Sequence, residues 1–165
     1  MPARLLISDA NIIIDMKAGG LLRTMFRFEA TFAMPDVLFE EELRAEDPDL
    51  PRFGLKLLEL HEETVAYAEG LIAKYRRLGA SINDLLALAL ARQEKCPLLT
   101  GDLRLRTAAQ EEGVDMHGTL WLIEQLVNTR TITVKQAEAA YAKMREAGRR
   151  LPWNDVDQQV REFKK

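Results

Sequence analysis

The feature that most constrains this chain is a repeated alternation. A short apolar run ends at a polar or acidic residue, and a segment with helical spacing follows. Leu5-Leu6-Ile7-Ser8 runs into Asp9 and then into the apolar stretch Asn11 to Met16. Ala30 to Met34 runs into Pro35-Asp36, which open a helix carrying Glu40, Glu41 and Glu42. Pro97-Leu98-Leu99-Thr100 runs into Gly101-Asp102, then into a helix over Leu103 to Glu112 stopped by Gly113. Val114 to His117 leads into a helix over Gly118 to Val127. Apolar runs this short and continuous predict strands buried on both faces, as parallel sheets require. Helices between them supply the crossovers that parallel strands need. The expected fold is α/β: a three-layer α/β/α sandwich with a mostly parallel central sheet.

The remaining segments fill in this plan. Short helices are expected from about Ala10 and over Leu21 to Phe28. The helix opened by Pro35-Asp36 has Pro in its first turn and acid at its positive end, and fades at Glu46-Asp47-Pro48. Asp49 to Gly54 reads as loop and Leu55 to Leu60 as a further strand. His61 to Leu78 has helical periodicity through Val65, Ala68, Leu71, Ile72 and Tyr75, and Gly79 stops it. Ser81-Ile82-Asn83-Asp84 has the form of a capping box before the Ala/Leu-rich helix Leu85 to Glu94. Beyond about Asn128 the chain turns polar and all-helical, with an amphipathic helix over Thr133 to Ala147 and another over Asp155 to Phe163. Residues 1–128 therefore form the expected α/β domain, and 129–165 a helical extension packed on it.

Composition narrows the class. The 165 residues suit one domain with one sizeable core. No apolar run approaches the ~20 residues needed to span a bilayer. Met1-Pro2-Ala3-Arg4 leads into the first strand without a cleavage site, so no secretory signal and no membrane contact are expected. The single cysteine, Cys96, excludes an internal disulfide framework, fits a reducing cytoplasm and reads as core. A net charge of −3 argues against a protein held on nucleic acid mainly by bulk electrostatics. It leaves room for an enzyme with an acidic centre and few, local phosphate contacts.

Ligands of open parallel sheets sit beyond the carboxyl ends of the strands. Asp9 and Asp102 follow strands, Asp84 lies in the first turn of a helix, and Glu41 lies on the helix after the second strand. If those helices run back along the sheet, all four carboxylates meet at one edge. Clustered carboxylates raise each other's pKa, and a divalent cation removes that penalty. Mg²⁺ or Mn²⁺ takes hard oxygen ligands and can activate water on a phosphodiester. Each residue also has a local reading: Asp9, Asp84 and Asp102 as helix caps, Glu41 as part of a solvated face with Glu40 and Glu42.

Order and context add a resemblance. Leu6-Ile7-Ser8-Asp9-Ala10-Asn11-Ile12-Ile13-Ile14-Asp15 resembles the opening of a PIN domain, where a strand ends in the first acidic ligand. Met34 to Leu43 is similar to the second PIN block, and counting from Pro35 points to Glu41, with Glu40 and Glu42 as alternatives. Leu78 to Ala91 resembles the third block, whose acid, here Asp84, opens an Ala-rich helix. Leu98-Leu99-Thr100-Gly101-Asp102 resembles the fourth, and Gly118-Thr119-Leu120 the turn after the last strand. The likeness covers about residues 4 to 128, with a C-terminal helical branch beyond it. It implies a Mg²⁺- or Mn²⁺-dependent ribonuclease with Asp9, Glu41, Asp84 and Asp102 as ligands and catalytic groups. It also implies an RNA substrate, a frequent homodimer, and often the toxin half of a toxin–antitoxin pair, whose antitoxin inserts a basic side chain.

Ser8, Asn11 and Thr100 can orient metal-bound water or satisfy local backbone. Arg104 and Arg106 read as solvated helix surface or as donors to substrate phosphates. His61 and His117 lack ligand spacing and read as surface or structural. Trp121 reads as core, and Trp153 as a docking residue of the tail. A non-catalytic PIN module binding protein or RNA is the alternative function. A phosphatase or phospho-receiver would want Asp-x-Asp after the first strand, where this chain has Asp9-Ala10-Asn11. Neither G-x-x-x-x-G-K-[ST] nor G-x-G-x-x-G occurs.

Overall fold

The structure, a computed structural model, describes residues 4–165. In chain order the elements are β1 (Arg4–Ser8), α1 (Ala10–Ala18), α2 (Leu22–Met25), β2 (Ala30–Pro35), α3 (Asp36–Leu38), α4 (Leu50–Phe53), β3 (Lys56–Leu58), α5 (Glu62–Tyr75), α6 (Ile82–Glu94), β4 (Leu98–Leu99), α7 (Arg104–Glu111), β5 (Met116–His117), α8 (Thr119–Asn128), α9 (Val134–Glu146) and α10 (Trp153–Phe163). A π-helical segment, Phe39–Leu43, continues α3, and a 3₁₀ turn, Arg76–Leu78, ends α5. The five strands described pair in the order β3-β2-β1-β4-β5, every pair parallel. The sheet anticipated as mostly parallel is thus wholly parallel among the described residues. No described helix is long and apolar enough to cross a membrane.

The strands are buried runs because both sheet faces are covered. Leu6, Ile7, Phe32, Ala33, Met34, Leu98 and Leu99 are fully buried. On the helical side, α6 lies against β1, β2 and β4 and packs on α5, while α1, α8 and α9 pack together. This is an α/β/α sandwich. β1 pairs with both β2 and β4, so the chain winds outward through β2 and β3, returns, and winds outward again through β4 and β5. The topological switch point therefore lies between the carboxyl ends of β1 and β4, where open α/β sheets place their ligands.

Several elements differ from expectation. The helix expected over Leu21 to Phe28 is one turn, Leu22–Met25. The segment Asp49 to Gly54, expected as loop, contains the turn Leu50–Phe53, with Pro51 in its first positions and Leu50 fully buried beneath it. Proline lacks an N–H that the first helical turn would leave unpaired anyway. Cys96 and Trp121, read as core, are only partly buried. Trp121 stacks on His117 with ring centroids 4.2 Å apart, and Arg4 lies over its ring. That arrangement gives His117 its structural role, while His61 is exposed. Trp153 packs against the core at the start of α10 under Arg145 of α9.

The C-terminal helices join the sandwich through a buried polar knot. Asp15 on α1 is 3% exposed; it accepts from Arg149 Nε at 2.6 Å and from the Thr119 hydroxyl at 2.7 Å. Gly19, at the end of α1, allows α9 to approach closely. A Cβ there would stand 2.7 Å from Met144 Cε and 3.2 Å from Ala140.

Candidate active site

Asp9 ends β1 at the switch point and is fully buried. Its backbone N–H donates to Leu99 O, which fixes it against β4. One carboxylate oxygen caps α1 by accepting from Ile12 N at 3.0 Å; the other accepts from the Thr100 hydroxyl at 2.5 Å. The same hydroxyl accepts from Asp102 N at 3.0 Å. Thr100 therefore bridges the first and fourth acidic positions. Ser8 instead donates to the Asp9 backbone carbonyl at 2.9 Å, and Asn11 is exposed on α1.

Asp84 is buried in the first turn of α6, where its N–H donates to Ser81 Oγ at 3.1 Å. Burial pushes the Asp9 carboxyl up from 3.8 to about 7; the Thr100 and Ile12 hydrogen bonds oppose this, and the charges of Asp84 and Asp15 add to it. The Asp84 carboxyl is also raised, by burial first and then by Asp102 and Glu42, against the Ser81 hydrogen bond. Asp9, Asp84 and Asp102 thus share one electrostatic environment.

Asp102 behaves differently. Burial pushes its carboxyl up, but Arg104 outweighs this and holds it below the usual range. The Arg104 guanidinium grips both Asp102 oxygens, with contacts of 2.8 to 3.1 Å, and donates to Gly79 O at 2.8 Å.

The three glutamates diverge. Glu40 pairs with Arg44 at 2.6 Å on the exposed side. Glu41 is exposed but accepts from Asn83 Nδ2, beside Asp84, at 2.9 Å. The charge of Glu42 reaches Asp84. The π-helical turn, closed by Arg44 N to Phe39 O at 2.8 Å, sets this fan of side chains. Such turns recur at functional sites.

Among the described residues, no three carboxylate, imidazole or thiol groups stand together in a geometry that holds a metal ion as placed. The donor chemistry nonetheless suits a hard divalent cation. It is all oxygen, with Asp9 and Asp84 buried and their like charges repelling. The Arg104 fork on Asp102 separates this arrangement from a closed ligand set. Sequence reasoning missed Asp15, Thr119 and Arg149 because their partners lie 104 and 134 residues apart. It weighed Arg104 only as surface or phosphate donor.

A cavity of about 710 Å³ opens beside Cys96, Pro97 and Asp115 at the amino ends of β4 and β5, and none of Asp9, Glu41, Asp84 and Asp102 lines it. A second cavity, about 420 Å³, borders Thr100 at the carboxyl ends. The second adjoins the candidate site through Thr100 alone; none of Asp9, Glu41, Asp84 and Asp102 lines it.

The chain is thus a parallel α/β sandwich with buried acids at its switch point. The chain matches the PIN-domain family over residues 5–165 and belongs to it. PIN domains are in general nucleases and typically use divalent metals. No curated protein matches the chain.

Proposed function

We propose that this protein is a divalent-metal-dependent endoribonuclease, with Asp9, Asp84 and Asp102 as Mg²⁺ or Mn²⁺ ligands and an acid of the π-helical turn completing the site. The observation that carries the reading is Asp9. A fully buried carboxylate at the switch point, pushed up to about 7 by burial with the charge of Asp84 adding to it, gains from an arriving cation. Thr100 would orient Asp9, and Asn83 would hold Glu41 beside Asp84. Once bound, the cation would polarise the phosphoryl group and lower the pKa of water. Glu41 or Glu42, rather than Glu40, would face that chemistry, since Glu40 is turned onto Arg44. The toxin role, an antitoxin partner and a homodimer complete the proposal and rest on the resemblance to toxin members of the family; a cytoplasmic location rests on the lone cysteine, Cys96.

Labelled RNA is expected to be cleaved with Mn²⁺ and left intact with chelator. Asp9→Asn should reduce the rate by at least about a thousandfold, since it removes a charge needed only when the cation is bound. An Asp9→Asn protein cleaving at the wild-type rate would remove Asp9 from the mechanism.

A second reading, a non-catalytic module binding RNA or protein, draws support from the Arg104 fork, which neutralises Asp102 without any metal. Calorimetric titration with Mn²⁺ separates the two. Saturable binding lost in Asp84→Asn supports the nuclease; no binding in the wild type supports the module.

A further inference from the structure

The cavity of about 420 Å³ meets the candidate site at Thr100, which lines it while donating to Asp9; the four acids themselves lie outside its lining. Met116 and Leu151 give it an apolar lining, and His117, backed by Trp121 in near-parallel stacking at 11°, gives it a flat one. Two arginines face it from different parts of the chain, Arg106 on α7 and Arg150 after α9. Their neighbours Arg104 and Arg149 are committed to Asp102 and Asp15. Arg106 and Arg150 are exposed and form no ion pair among the described residues; the only carboxylate in the lining is Asp115. The Arg149–Asp15 bond pins Arg150 and Leu151 at the rim, so the C-terminal helices supply one side of the cavity.

We propose that this cavity is a nucleotide subsite. It takes one unstacked base and ribose of single-stranded RNA next to the scissile phosphate, with Arg106 and Arg150 on the adjoining backbone phosphates. The inference rests on the ribonuclease reading and assigns the residues of this chain that would hold one nucleotide of its substrate. A cavity of this volume suits a single small-molecule-sized unit. A concave, partly apolar site with a flat aromatic wall accepts a splayed base, which a duplex keeps stacked and paired. Unpaired arginines at the rim match phosphate, and Thr100 places the occupant one residue from Asp9.

The test is binding of a fluorescein-labelled single-stranded RNA oligonucleotide at low salt with chelator, so that no cleavage is needed. The wild type and the Arg106→Gln/Arg150→Gln double variant are compared by anisotropy, with circular dichroism confirming that both fold. The double variant should bind about tenfold or more weakly. The slope of log K against log salt should shrink by about one to two, one per lost phosphate contact. Duplex RNA of the same sequence should bind equally to both proteins. Single-stranded binding that is equal in both, or absent from both, overturns the subsite. Metal-dependent cleavage by the wild type is scored separately, so arginine-dependent binding without cleavage would sink the ribonuclease reading and keep the subsite.

Discussion

Asp9 serves three neighbours at once: it ends β1, caps α1 through Ile12 and takes the Thr100 proton on its second oxygen. Its carboxyl sits at about 7 against an ordinary 3.8, so the folded state binds the proton more tightly than the unfolded chain does. Folding is therefore least hindered by Asp9 below about pH 4. The hindrance grows as pH rises and is complete above about 7. A shift of this size corresponds to roughly 4 kcal/mol. Asn can replace both hydrogen bonds, accepting from Ile12 and donating to Thr100, without a charge. Asp9→Asn should therefore raise the metal-free melting temperature at pH 8 by several degrees and leave it little changed at pH 4. A melting difference equal at both pH values would show that burial of the charge is not what distinguishes the two proteins. Arg104 is the second residue to test. Its guanidinium occupies the Asp102 oxygens that a cation would use. Arg104→Gln should tighten Mn²⁺ binding, on the order of tenfold, because the ion no longer competes with a cation already in place. Weaker Mn²⁺ binding in that variant would mean that Arg104 holds Asp102 in its ligating position instead.

At the scale of elements, local chemistry marked most of the boundaries. Ser81 accepts from Asp84 N and Thr133 forms a capping box with Gln136, and both signals stand in four consecutive residues. Gly79 and Gly113 end their helical segments with φ of +77° and +72°, a conformation that costs glycine little. The apolar runs at β1, β2 and β4 were legible because burial on both faces leaves no alternation to misread. The one-turn helix Leu50–Phe53 was not legible, because a Pro and a Gly within six residues carry the signature of a loop. Nor was the π turn at Phe39–Leu43: Phe-Glu-Glu-Glu-Leu suits an α-helix equally well, and the register shift comes from packing. For the same reason the sequence pointed to Glu41 only by counting from Pro35 and kept Glu40 and Glu42 as alternatives, whereas the turn sends Glu40 to Arg44 and Glu41 to Asn83. Candidate acids at strand ends could be picked out from position alone. The Arg104 fork could not, since i to i+2 pairing on a loop entering a helix has no periodic signal.

At the scale of the whole molecule, the segment beyond Asn128 packs onto α1 through α9 and carries Arg150 and Leu151 to the cavity beside Thr100. Ala137, Ala140, Tyr141 and Met144 of α9 are all buried, and Gly19 of α1 lies against two of them. Asp15, buried on α1, has Arg149 as its only cationic partner among the described residues. Cutting the chain after Asn128 would expose the α1 face and leave that carboxylate unpaired beside Asp9, whose own charge Asp15 already disfavours. Loss of one partner of a buried pair costs about 3–5 kcal/mol, and the four lost core side chains cost about as much again or more. The sum is comparable to the whole stability of a domain this size. A protein of residues 1–128 should therefore show no cooperative thermal transition by circular dichroism and should aggregate on expression. Arg149→Met in the full chain should melt cooperatively but several degrees lower. A truncated protein that melts as cooperatively as the full chain would make the extension an independent attachment, and the pinning of Arg150 at the cavity rim would lose its structural basis.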